Sequence, residues 1–274
     1  MEKVILYLIP KAKLTHWLAL FFTLLFLIAC VEKKHALVIQ DEVALEKEKV
    51  LSTDINMEKE ESGTADSDVV QKHFGKKAFF QFMKPIIESE NKRVRQERGH
   101  LLAWQKHNDF EMSVLKKIAQ RYRVQWTGKA DGRFWRAILD RVDEVPIALV
   151  LIQAANESAW GNSRFARQAN NYFGQWCYKK GCGLVPLRRN AGAKHEVQYF
   201  ESAELSVRAY IHNLNTSSSY KLLRNLRHSL RRQGKPLDAG FLAIGLKDYS
   251  ERGMDYVRII QAMIRSNQQL IHSL

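Results

Sequence analysis

The sequence predicts a mainly α-helical (α+β) domain with one β-hairpin inserted among its helices. Three observations carry this prediction. Apolar residues recur at helical spacing in successive segments between Phe79 and Ile264. Only one stretch, Leu184 to Phe200, switches to strand character around a turn signal. No internal repeat is present, which sets aside solenoid and propeller architectures.

Taken in order, Phe79, Phe80, Phe82 and Met83 open a helical pattern that continues after Pro85 through Ile86, Ile87 and Val94. Polar and charged residues, among them Glu88, Glu90, Arg93, Arg95 and Arg98, fill the positions between. A second amphipathic helix is expected from Phe110 to Tyr122, with Met112, Leu115, Ile118 and Ala119 as its stripe. The basic residues of both helices read as solvated faces. Asp131 to Val142 suggests a short helix carrying Phe134, Trp135, Ile138 and Leu139. Pro146 suits a first helical position, and Asp143 and Glu144 before it suit the positive end of a helix. Ile147 to Trp160 then reads as a mostly apolar, buried helix.

Leu184 to Arg189 and Lys194 to Phe200 are strand-like, joined by the turn signal Asn190-Ala-Gly192. Ser202 offers an N-cap for a helix to Leu214. Tyr220 to Arg232 is a strongly basic helix stopped by Gly234, and Pro236 opens another to about Ile244. Gly253 to Leu270 closes the chain, with Tyr256, Val257, Ile260, Met263 and Ile264 on one face.

Charge and the N-terminal residues bear on location. The 274 residues carry a net charge of +14, yet Asp41 to Asp68 holds ten acidic and three basic residues. The remainder is therefore at +21, which favours a polyanionic partner such as nucleic acid, anionic lipid or a wall polymer. Lys3, Lys11 and Lys13 precede the apolar run Trp17 to Ala29, a charged segment and core of signal-peptide length. The run ends Leu27-Ile28-Ala29-Cys30, which resembles a bacterial lipobox with Cys30 as the lipidated residue. An uncleaved signal anchor is the alternative. Either way the body is expected outside the cytoplasm, periplasmic and membrane-anchored through its N-terminus, and nucleic acid drops out as a partner. Val31 after the cysteine, rather than Asp, points to the outer membrane. From Val31 to Lys72 the chain is acidic and lacks Phe, Trp and Tyr, so it reads as a flexible tether.

Cys177 and Cys182 are the cysteines beyond Cys30. A four-residue gap containing a glycine can close as a disulfide in an oxidising compartment. A zinc site would want a second cysteine pair, and two free thiols are the remaining alternative. No metal or cofactor is implied.

The chemistry is expected at Glu157. It follows Val150 and Ala154 at helical spacing, so its side chain continues a line facing the core. Burial disfavours the charged carboxylate, and a carboxyl kept protonated near neutrality can donate a proton to a glycosidic oxygen. The bland alternative is a buried glutamate that caps a neighbouring helix or pairs with Arg164.

Glu157-Ser-Ala-Trp-Gly-Asn-Ser163, followed by Ala169-Asn-Asn-Tyr-Phe-Gly174, resembles the signature of glycoside hydrolase family 73. These are bacterial endo-β-N-acetylglucosaminidases that include flagellar and cell-separation peptidoglycan hydrolases. Val197-Gln-Tyr-Phe-Glu-Ser202 looks like the family's hairpin-to-helix junction, and Tyr249-Ser-Glu-Arg-Gly253 with Tyr256 looks like its C-terminal tyrosine segment. The resemblance covers roughly residues 142 to 270. It implies a lysozyme-like helical fold, Glu157 as general acid, and Trp160, Tyr172 and Phe173 as cleft walls. Trp176, Asn171 and Tyr256 join them as candidate substrate contacts, although an aromatic residue taken singly is more often core. Asn170 and Asn171 fit either the turn after the helix or an acetamido contact, with the turn preferred.

One departure stands out. Many members of the family place a glutamate on the first hairpin strand, where this sequence has Pro186, Leu187 and Arg188. Glu196 is the nearest substitute, with Glu201 behind it. If neither faces Glu157, the substrate's own 2-acetamido group could act as nucleophile, with Tyr249 steadying the charge or else merely packing.

The expected organisation is a signal peptide or anchor over 1–30, a tether over 31–72, a helical extension over 73–141, and a catalytic lobe over 142–274. The expected activity is hydrolysis of β-1,4 bonds after N-acetylglucosamine in peptidoglycan. The alternatives are a muramidase or lytic transglycosylase on the same scaffold, and a non-catalytic wall-binding lipoprotein.

Overall fold

The computed structural model describes residues 75–187 and 192–274. The lipobox at Cys30, the tether over 31–72, and Arg188 in the hairpin lie outside the described residues. The architecture is the expected one: mostly helices, with a small antiparallel sheet.

Helix α1, Lys76–His107, passes through Pro85 as a single element and buries Phe79, Phe80, Met83, Ile87, Val94 and Leu101 along one side. Helices α2 (Met112–Arg121) and α3 (Gly132–Arg141) follow. Asp131 caps α3 by accepting from the Phe134 amide at 2.9 Å. Helix α4, Ile147–Glu157, is the central one. Every residue from Leu149 to Ala155 is buried, and the helix packs on α1 and on the C-terminal helices described below. Full burial contributes about 1.5–3 kcal/mol for each large aliphatic side chain. One core runs unbroken from Phe79 to Ile271, across the boundary drawn between extension and lobe.

Helix α4 ends at Glu157, three residues before the expected Trp160. The Ser158 hydroxyl donates to the Ala154 carbonyl at 2.6 Å and accepts from the Gly161 amide at 2.8 Å, closing the last turn. Ala159, Trp160 and Gly161 then take left-handed backbone angles, with φ of 50°, 58° and 80°. For the two residues with a Cβ this conformation costs about 1–2 kcal/mol each. Packing holds it: the Trp160 ring lies 5.3 Å from Phe80 and 6.2 Å from Phe79, under the Lys76 ammonium.

A further short helix, α5 (Arg164–Ala169), is capped by Ser163 and closed by Asn170 in the left-handed region. The sheet has strands β1 (Trp176–Cys177), β2 (Gly183–Leu184) and β3 (Glu196–Gln198), in the order β1-β3-β2. The two hairpin strands are shorter than expected and a third, β1, lies on the far side of β3. Gly183 is required at its position. A Cβ there would fall 1.9 Å from the Val197 carbonyl oxygen.

Helix α6 (Ala203–Thr216) starts at the expected cap, Ser202. Helix α7 (Lys221–Arg232) is the basic one. Asp238, not Pro236, caps the short α8 (Ala239–Ala243), and a 3-10 turn (Ile244–Leu246) continues it. Gly245 lets that turn lie directly on the Leu223 backbone. Helix α9 (Met254–His272) closes the fold and packs on α4 and α8.

Asp143 and Glu144 were expected to complement the α4 dipole; their carboxylates instead meet arginines of α1 and α7. Asp143 accepts from Arg231 at 2.8 and 3.1 Å, and the Arg227 and Arg98 guanidinium groups each lie 3.7 Å away. Arg227 is 1% exposed, and it also donates to the carbonyls of Asp140, Asp143 and Glu144 and to Asn215. Arg98 donates to the Val142 carbonyl. Arg98, expected on a solvated face, and Arg227 of the basic helix α7 are thus clamps on the segment that leads into α4. Among the described residues no helix is long and apolar enough to cross a membrane.

Candidate active site

A cleft of about 880 Å³ opens beside the C-terminal end of α4. Its walls come from α4 (Asn156, Glu157), the turn and strand after α5 (Phe173 to Trp176, and Tyr178), α6 (Tyr210, Asn213), and the segments around Tyr220 and Tyr249. Sheet and helices therefore face each other across Glu157.

Glu157 is half-buried. Burial pushes its carboxyl above the ordinary range, opposed by hydrogen bonds from Tyr256 and Asn156 that favour the ionised form. The Tyr256 hydroxyl donates to Oε1 at 2.8 Å and the Asn156 amide donates to the same oxygen at 3.0 Å. Behind this pair the donors line up. Gln153 donates to the Tyr256 hydroxyl at 3.1 Å, and Tyr210 donates to the Gln153 amide oxygen. Gln153 is completely buried and Tyr210 nearly so. Their order fixes the rotamer of Tyr256, and Tyr256 fixes Glu157.

Aromatic stacking supports the same group. Phe173 lies flat on Tyr210 at 3.9 Å, and Tyr249 lies near-parallel to Tyr256 at 5.2 Å. Burial pushes the hydroxyls of Tyr210 and Tyr249 well above their usual range, and the neighbouring charges and rings add to it. Tyr220 is pushed up to about 12 by burial, with the negative charges of Glu157 and Asp248 adding to it. All three are donors, never phenolates, at neutral pH.

The expected site residues are distributed as follows. Glu157, Phe173, Trp176, Tyr249 and Tyr256 line the cleft. Trp176 is 55% exposed and stacks on His195 at 4.1 Å, leaving its other face open. Trp160 and Tyr172 are not in the cleft lining; both pack against α1, Tyr172 beside Phe79 and Phe82. Asn171 is a turn residue, donating to the Gln175 and Gln198 carbonyls and accepting from the Gln175 amide. The Tyr249 hydroxyl donates to the Phe173 carbonyl at 2.7 Å, so it braces the wall. Arg164, suggested as a partner for Glu157, donates instead to the Val185 carbonyl.

Glu196 is not in the cleft lining. It is 6% exposed, and its two oxygens accept from the Gly181 amide at 3.0 Å and the Gly183 amide at 2.9 Å. A disulfide joins Cys177 and Cys182 beside it. Among the described residues these three are the group with metal-ligand character, but the sulfurs are bonded to each other. Asp248, which the sequence reading passed over, is the carboxylate that shares the cleft with Glu157 among the described lining residues. Its only signal in the sequence was adjacency to Tyr249.

Comparison with known proteins shows the family. The glucosaminidase family, described as mannosyl-glycoprotein endo-beta-N-acetylglucosaminidase, matches residues 135–269. Protein bax of Escherichia coli (strain K12) is 38% identical over 199 residues, which cover 72% of this chain and 71% of that protein. No solved structure matches.

Proposed function

Because the chain belongs to the glucosaminidase family, and so to the glycosidases, we propose that it hydrolyses the β-1,4 bond after N-acetylglucosamine in peptidoglycan with Glu157 as general acid. The observation that carries this reading is the half-buried Glu157 carboxyl in the wall of an aromatic cleft, its pKa raised and its orientation set by Tyr256. A protonated carboxyl there gives its proton to the departing glycosidic oxygen as the bond to the anomeric carbon breaks. Positive charge then develops on the sugar. Glu196 accepts from backbone amides outside the cleft lining, so our candidate to balance that charge is Asp248, which lines the same cleft, with the substrate's 2-acetamido oxygen as the alternative nucleophile. The open face of Trp176 suits the apolar C–H surface of a sugar ring. The segment ending in Cys30 would hold the enzyme to a membrane, and the tether over 31–72 would give it reach to the wall.

A digest tests the reading. Incubated with purified peptidoglycan, the protein should release fragments with reducing-end N-acetylglucosamine. Reducing-end N-acetylmuramic acid, or its anhydro form, would reassign it to the muramidases or lytic transglycosylases. Binding without release would make it a wall-binding protein.

Tyr256→Phe probes the acid from the other side. Removing a donor that favours the ionised form should raise the Glu157 pKa further. Because the acid works protonated, the alkaline limb of the pH–kcat profile should move to higher pH. A limb that stays in place would separate Tyr256 from the titration of Glu157.

A further inference from the structure

We infer that the loop closed by Cys177 and Cys182 is a recognition site for carboxylates on the peptide branches of the glycan, an inference that rests on the glycosidase reading above. The loop is held from several directions. The disulfide closes its base, and the Cys182 amide donates to the Lys179 carbonyl at 3.1 Å across the turn. The buried Glu196 accepts from the amides of Gly181 and Gly183. The flanking strands pair with β3 on both sides, Trp176 and Leu184 each opposite Val197.

So much constraint on an exposed turn fixes what the turn presents. Tyr178, 74% exposed, lines the cleft together with Trp176 and Glu157. Lys179 and Lys180 follow it, both exposed. Neither pairs with a carboxylate among the described residues. Arg252 is the cation among the residues that line the cleft, and the two lysines follow directly on the lining residue Tyr178. Fixing the backbone that carries Tyr178 and the two lysines lowers part of the entropy lost when they meet a ligand.

The chemistry of the loop selects an anion beside an apolar surface. In peptide-bearing strands the lactyl carboxyl of each muramic acid is tied up as the amide to its peptide, so there the sugar backbone offers nothing to the two ammonium groups. The carboxylates of short peptide branches do. Exposed ammonium groups act through a screened field, so the effect should fade with salt.

The test uses the full chain carrying Glu157→Gln, with its binding measured to immobilised glycan strands that retain their peptides, once with the peptide carboxyls free and once with them capped as neutral amides by a carbodiimide and methylamine. At low salt the strands with free carboxyls should bind about fivefold more tightly, the scale of two exposed charge contacts. Lys179→Gln with Lys180→Gln should bring the two affinities together, and so should salt at about 0.5 M. Equal affinities in the parent chain, or a gap that survives the double substitution, would overturn the inference. Release of reducing ends from the capped strands by the chain with Glu157 intact reports on the glycosidase reading separately. Release without a preference for free carboxyls removes this inference alone. A preference without release removes the enzymatic reading alone.

Discussion

Glu157→Gln is expected to lower turnover by about two to four orders of magnitude, the range that a positioned general acid contributes. The substitution keeps shape and most contacts. The glutamine oxygen can still accept from Tyr256 and Asn156, which now meet at one carboxylate oxygen. What disappears is the dissociable proton. The loss should therefore appear in kcat with little change in KM, since ground-state contacts to the sugar remain. Circular dichroism and thermal unfolding should match the parent protein. Turnover within tenfold of the parent, in a folded variant, would move the proton donor elsewhere in the cleft.

The largest stability effect is expected at Asp143. Its carboxylate is 2% exposed as a residue and faces three guanidinium groups, one of which, Arg227, is itself buried. Asp143→Ala leaves Arg227 charged and uncompensated in the interior, which costs about 3–5 kcal/mol when a buried pair loses one member. Burial pushes the Arg227 guanidinium down to about 10, so at neutral pH it stays charged rather than escaping by deprotonation. Urea unfolding at neutral pH should show the loss.

The pH dependence follows from the same cluster. Burial pushes the Asp143 carboxyl up, but Arg227, Arg231 and Arg98 together push harder and hold it below the ordinary carboxylate range. A depressed folded-state pKa adds stability above the unfolded-state value and loses it as pH falls through the folded one. The parent protein should therefore lose stability on acidification, and Asp143→Ala should lose less over the same interval. Equal slopes would show that the arginines are compensated by other groups.

Much of the fold could be read in the sequence because period and caps are local signals. Asp131 and Ser202 stand where their residue types predict, and the apolar stripe of α3 is the one that is buried. Helix α5 carried a signal too, Ser163 as a cap, but six residues are too few to show a period. Strand β1 is two residues long and pairs only with β3, so no alternation announced it. The overrun of α4 to Trp160 has a different cause. Apolar character continues past Glu157, while the turn is ended by a serine hydroxyl and by rings on a helix about eighty residues earlier in sequence.

The site divides along the same line. Glu157 was legible because burial and acid chemistry both leave marks at one position. Its neighbours were not: Tyr256 meets it from 99 positions away, and nothing in local spacing links the two. Glu196 illustrates the converse. Strand alternation allowed it to face either way, and the amides of the glycine-containing loop, contacts between non-adjacent residues, hold it. Arg98 looked like solvated charge because a helical wheel does not show a carboxylate on another element, and the basic run of α7 did not single out Arg227 as its buried member.

The row of donors behind Glu157 has a consequence for how the acid is reloaded between turnovers. Each hydroxyl and amide in the series Tyr210, Gln153, Tyr256 points its hydrogen toward the carboxylate. To pass a proton onward, Tyr256 would need a replacement from the Gln153 amide, which does not ionise near neutral pH. The interior is therefore a polarised but non-conducting backing, and fresh protons must reach Glu157 from bulk water through the mouth of the cleft. A product that lingers there would block the reloading path as well as the next substrate.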